Sequence, residues 1–188
     1  FSADGKREVE FYQSIPWTAE GHPLMSARES LKRGVFVHDA GWNTVFSLVE
    51  DRPCLYGPPG SMLLVGWARA RLSPGRYTVT VEFMDQETDR TGRWQREIDV
   101  SAPDTVSLSM SDVVLAREIG EFRDAGELRR GGYRIVPNTL GAFSLASTIP
   151  VYFEVYNLAF DGEGRTRYRV SFELESLAAA SGASRFLK

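Results

Sequence analysis

Apolar and polar side chains alternate with a period of two along much of this chain, and helical spacing is scarce. That is the signature of half-buried strands. The stretch RYTVTVEFMDQETDRTGRWQREIDV, residues 76–100, is the most regular. Tyr77, Val79, Val81 and Phe83 fall on one face, and Thr78, Thr80 and Glu82 on the other. Beyond an acidic break, Trp94, Arg96, Ile98 and Val100 alternate with Gln95, Glu97 and Asp99. Two such runs around a polar connection containing Gly92 predict a β-hairpin.

A similar unit spans 151–175, VYFEVYNLAFDGEGRTRYRVSFELE. There Val151, Phe153 and Val155 oppose Tyr152, Glu154 and Tyr156. After Asp161-Gly162-Glu163-Gly164 the return run presents Tyr168, Val170, Phe172 and Leu174. Further strands are expected over 7–15, 34–39, 44–50 and 61–72, the last with Gly66 as a bulge. In the second half TVSLSM, SDVVLA and YRIV read as strands, 121–134 as a long loop or short helix, and 177–188 as a tail, a short helix or a linker. Each hairpin closes a segment the size of a small β-sandwich, and Pro103 marks the seam between them. The expected fold is all-β, two sandwich domains in tandem, 1–102 and 103–188.

Composition agrees with a packed chain and narrows its chemistry. Of 188 residues, 43 % are hydrophobic and 12 % aromatic, enough for a core. A formal charge of −3 offers no basic stripe to displace counterions from nucleic acid, so a nucleic-acid partner is not expected. No apolar run approaches the ~20 residues of a membrane span. The opening FSADGKREVEF lacks an apolar signal-peptide core. Cys54 is the only cysteine, which excludes an internal disulfide and a multi-cysteine zinc site.

Catalytic chemistry finds little support. His22 and His38 are the only histidines, and no nucleophile elbow, zinc-protease helix or phosphate-binding loop occurs. Acids such as Glu82, Glu97, Glu154 and Glu173 lie opposite apolar faces, where a solvated outer face explains them. The turns DQETD and DGEG space their carboxylates as some calcium loops do. Calcium needs six or more oxygens, however, and tight connections select Asp and Gly for backbone reasons. No catalytic residue, metal or cofactor is expected. The remaining signal is aromatic: Trp42 in the turn AGWN, Trp17, and the pair Tyr152 and Tyr156 flanking Glu154 are the candidate surface contacts.

LSPGRYTVTV resembles the turn into a late strand of immunoglobulin-like domains, where a tyrosine hydroxyl bonds back to the preceding backbone. The resemblance makes each expected sandwich immunoglobulin-like and Tyr77 a structural corner tyrosine. EVEFYQSIPW, LSPGRYTVTVEFMD, LSMSDVVLA and VPNTLGAFSLASTIPVYFEVYNL, in that order, are together similar to the C-terminal β-rich region of bacterial GWxTD-domain proteins. The family's defining helical segment is not in this chain, and GWNTV carries Val45 where its aspartate belongs. The resemblance implies a non-catalytic structural or protein-interaction module of an exported bacterial protein. Its expected partner is another protein, engaged through strand edges or aromatic patches. The competing expectation is a glycan partner, with a carbohydrate-binding module stacking sugars on exposed tryptophans.

Overall fold

The computed structural model describes residues 4–17, 31–51, 54–56, 62–86, 89–122, 128–144 and 147–173. The described residues are all-β, with antiparallel sheets throughout. No helix among them is long and apolar enough to cross a membrane. Contacts divide the chain into two compact units, Phe1–Pro103 and Asp104–Lys188.

In the first unit, β1 (Arg7–Trp17), β5 (Met62–Leu72) and β4 (Cys54–Tyr56) form one sheet in the order β1-β5-β4. The other takes β3 (Thr44–Glu50), β2 (Leu31–Asp39), β6 (Gly75–Asp85) and β7 (Arg90–Val100), in the order β3-β2-β6-β7. Val35, Val37, Tyr77, Val79, Val81 and Val100 project from the four-stranded sheet onto Ala68, Ala70 and Leu72 of β5. Val9 and Phe11 of β1 pack against the same cluster. This is a sandwich, and β6 buries the face the pattern predicts, Tyr77, Val79 and Val81, with Glu82 of the other face exposed; Thr80, expected on that polar face, is buried as well.

Two local features have specific causes. Tyr77 Oη donates to the Ser73 carbonyl at 2.8 Å, pinning the corner that Pro74 and Gly75 turn. Gly66 is not the site of a bulge, because β1 and β5 pair without a slip from Arg7↔Leu72 to Trp17↔Met62. Its missing side chain instead makes room for Arg33, whose guanidinium an added Cβ would strike. Arg33 shares the inward face of β2 with Leu31, Val35 and Val37 and is only 1 % exposed. Its terminal nitrogens donate to Gln13 Oε1 of β1 at 2.6 Å, to the Trp67 carbonyl of β5 at 2.8 Å, and to Glu50 of β3. One cation thus ties β2 to its neighbour β3 and to both long strands of the opposite sheet.

The second unit orders β10 (Arg129–Arg130), β11 (Tyr133–Pro137), β9 (Val114–Glu121) and β12 (Val151–Tyr152) into a sheet, β10-β11-β9-β12. A separate pair joins β13 (Val155–Tyr156) to β8 (Ser109–Met110). Ala116, Leu128, Ile135, Val136 and Pro137 are its buried apolar residues among those described. Residues 150–156 run antiparallel along 109–116, and between the ladders Ser111 N donates to the Glu154 carbonyl while Glu154 N donates to Ser111 Oγ. Of the long hairpin expected over 151–175, only the turn is present among the described residues. Val151–Tyr156 pairs with β9 and β8 along one edge, and residues 157–173 form no ladder on the other. TVSLSM and SDVVLA likewise contribute only Ser109–Met110 and the start of β9. The loop expected over 121–134 contains β10, and the tail at 177–188 lies outside the described residues.

Candidate functional site

The β2–β3 connection turns on Asp39. Asp39 N donates to the Asn43 carbonyl and Trp42 N to the Asp39 carbonyl, both at 3.0 Å. Asp39 Oδ1 then accepts from the amides of Gly41 and Asn43 at 2.9 Å each, and the Asn43 side chain closes onto the same carboxylate. These hydrogen bonds, the Asn43 side chain first, hold the Asp39 carboxyl below its ordinary pKa. The turn is fixed by side-chain chemistry rather than by packing.

The turn at Asp161 is its twin. Asp161 N donates to the Arg165 carbonyl at 2.7 Å and Gly164 N to the Asp161 carbonyl at 3.0 Å. Asp161 Oδ1 accepts from Glu163 N and Arg165 N at 3.0 and 2.9 Å, and these amide bonds lower its pKa. The fourth position is left-handed in both turns: φ is +73° at Gly164 and +63° at Trp42. Glycine enters that region freely, whereas a side chain there costs about 1–2 kcal/mol. The chain therefore places its largest side chain at the position its own second copy of the turn gives to glycine. Trp42 is 63 % exposed, with the His38 ring tilted against it at 5.8 Å between centroids.

A third acid works similarly. Asp104 Oδ1 accepts from Val106 N and Ser107 N at 2.9 Å each, which lowers the Asp104 pKa. Asn157, itself at φ +59°, donates through Nδ2 to the carbonyls of Asp104 and Ser107. Among the described residues no group of three or more His, Cys, Asp or Glu could hold a metal ion. In the DQETD connection Asp89 adopts φ +54°, and Glu87 lies outside the described residues.

The tyrosine pair stands differently from a displayed aromatic patch. Tyr152 and Tyr156 are half-buried, and both hydroxyls donate to Glu154, Tyr152 at 2.8 Å. Arg130 pairs with the same carboxylate at 3.4 Å. Burial, followed by the bond to Glu154, raises the Tyr156 pKa well above that of a free phenol. Their polar tips are committed to this internal network, which stitches the β10–β11 turn to the 151–156 segment. Trp94 is exposed on edge strand β7, while Trp67 is half-buried with the Arg69 guanidinium 5.8 Å from its ring centroid. The backbone of Trp17 ends β1, but its side chain lies outside the described residues, as do the Cys54 side chain and His22. His38 is described, and its Nδ1 is buried with no hydrogen-bond partner.

Of the candidates, the structure singles out Trp42 and brings Tyr152 and Tyr156 together on Glu154. Sequence reasoning missed Arg33, although its parity with Leu31, Val35 and Val37 carries the signal. Arg130 and Asn157 had no local signal, since their partners are remote in the chain. No family model, no curated protein and no solved structure matches this chain.

Proposed function

We propose that the chain is a non-catalytic structural or protein-interaction module of an exported bacterial protein, as its resemblance to the GWxTD C-terminal region implies, and that Trp42 is its contact. The observation that carries this reading is the strained, exposed tryptophan on a turn whose twin uses glycine. Strain of this kind persists where surrounding structure enforces it, and it concentrates at sites of recognition. Large aromatics are also the side chains that anchor protein interfaces.

A glycan is the second reading, supported by the exposed faces of Trp42 and Trp94. Sugar recognition requires polar groups beside the aromatic platform. Around Trp42 the Asp39 carboxylate and the Asn43 amide nitrogen are spent on the turn. That favours a protein surface over a hydroxyl-rich ligand.

The test compares the intact chain with Trp42→Gly, using Val106→Ser as a surface control, in capture from a bacterial secreted or periplasmic fraction and on a glycan array. The proposal expects a protein captured by the parent chain and by the control, and lost in Trp42→Gly while the melting curve is kept. Glycan binding lost in Trp42→Gly would transfer the function to the second reading. Capture indifferent to Trp42 would overturn the assignment of the contact.

A further inference from the structure

The first unit's two sheets have four edges, and three carry features that discourage a foreign strand. β1 bears Arg7, Glu8, Glu10 and Pro16. β7 bears Arg90, Arg93, Arg96, Glu97 and Asp99, and β4 is three residues long. Charge, proline, shortness and bulges are the usual protections of an edge. The fourth edge, β3, reads Thr-Val-Phe-Ser-Leu-Val-Glu. It has no proline and no charge before Glu50, and Glu50 is taken by Arg33. No described strand pairs with its outer side. Its one irregularity lies near the turn, where the register shifts between Val37 and His38 and Val45 is the extra residue. From Phe46 to Glu50 the strand is regular.

We propose that β3 is a self-association edge, taking the β3 strand of a second copy of this chain in antiparallel pairing about a two-fold axis at Ser47. The argument is register. Directly opposed residues share a face, so a two-fold axis must pass through a residue pair; an axis between residues would set core-facing side chains against outward ones. With the axis at Ser47, Phe46 meets Leu48 of the second copy, and both are half-buried core-side residues. Val49 of the second copy, 62 % exposed in the single chain, falls beside the bulge at Val45, itself 46 % exposed. Moving the axis to Leu48 sets Phe46 against the Glu50 carboxylate; moving it to Phe46 sets Leu48 against Thr44. Only the Ser47 register gives both Phe46 and Leu48 an apolar partner, and cross-strand apolar pairs are what stabilise a ladder. The paired edges then join the two four-stranded sheets into one. This goes beyond the Trp42 reading and does not rest on it.

The experiment is sedimentation of the full chain from about 1 to 100 µM, a range that spans micromolar self-association. Alongside it, single cysteines are introduced in a Cys54→Ser background and oxidised. Opposed residues in an antiparallel pair have Cα atoms about 4.5–5.5 Å apart, within disulfide reach. Ser47→Cys should therefore form a covalent dimer. Val49→Cys should not, since its own counterpart lies about four residues further along the ladder. The expected result is a species of twice the chain mass that Ser47→Lys reduces to monomer with an unchanged circular dichroism spectrum and that Trp42→Gly leaves intact. A monomer throughout the range overturns the proposal, even if β3 amides become protected when another protein is added, which would make the edge a docking strand for a foreign chain. A dimer that survives Ser47→Lys without a Ser47→Cys disulfide overturns it as well.

Discussion

Trp42 and Tyr77 are both aromatics at turns, and they make opposite demands on stability. Trp42→Gly relieves a left-handed side chain but frees the unfolded chain, so stability should stay level or rise by up to about 1 kcal/mol. Denaturant melts of the two proteins measure this directly, and a clear loss would remove the argument from strain. Tyr77→Phe keeps the buried ring and leaves the Ser73 carbonyl without its donor, so it should cost about 0.5–1.5 kcal/mol in the same measurement. The turn acids set a pH window. Asp39, Asp104 and Asp161 each have a folded pKa below the ordinary carboxylate value. Their contribution is complete above the unfolded value of about 3.9 and is lost as pH falls through it toward the lower folded pKa. In an NMR titration the amides of Gly41, Asn43, Glu163 and Arg165 should therefore shift with midpoints below that value. Midpoints above it would contradict the assigned hydrogen bonds.

At the scale of strands, the first hairpin was legible because the same alternation that marks its faces also matches its neighbour: Tyr77 lies opposite Ile98 and Val81 opposite Trp94. Residues 151–175 alternate just as well yet do not close into a ladder among the described residues. Alternation specifies two faces of an extended chain but not its hydrogen-bond partner, and β9 and β8 are the partners of 151–156. Phe172 still approaches Phe153 edge-on at 6.0 Å, so contact between the two arms exists without a ladder. Trp42 was readable as an oddity in a turn, but its left-handed backbone was not, because the Asp39 side chain imposes it. Arg33 was hidden because a charge on an inward parity looks like an error in the pattern. Removing it with Arg33→Ala takes a donor from Gln13 Oε1 and from the Trp67 carbonyl and should cost about 1–3 kcal/mol for each acceptor left unsatisfied, while the part-exposed Glu50 can hydrate. Gly66→Ala should also destabilise, by pushing on that guanidinium. Combining Gly66→Ala with Arg33→Met should cost less than the sum of the two single changes, as a double-mutant cycle would read.

Across the whole molecule the two units are unequally built. The first has a core continuous between two sheets, closed at one end by Arg33. In the second, five apolar residues are buried among those described, while Val106, Leu108 and Met110, leading into and within β8, remain exposed. Burial of apolar surface is the main stabilising term, at roughly 25 cal/mol per Å². Calorimetry of the intact chain should therefore resolve two transitions, with the second unit unfolding first. Hydrogen exchange should assign the early step to amides of Ala116 and Ile135 and the later one to Val35 and Val79. A single transition in which all four exchange together would show that the units unfold as one.

The fit of Arg33 beside Gly66 also constrains how this sequence can drift. Neither position tolerates change alone: a side chain at 66 collides with the guanidinium, and a shorter residue at 33 deserts Gln13 and Glu50. Divergent descendants should therefore carry the two residues as a linked pair, arginine with glycine or an apolar residue with a larger partner. A lineage that exchanges one for the other must pass through a poorly folding intermediate or alter both in quick succession.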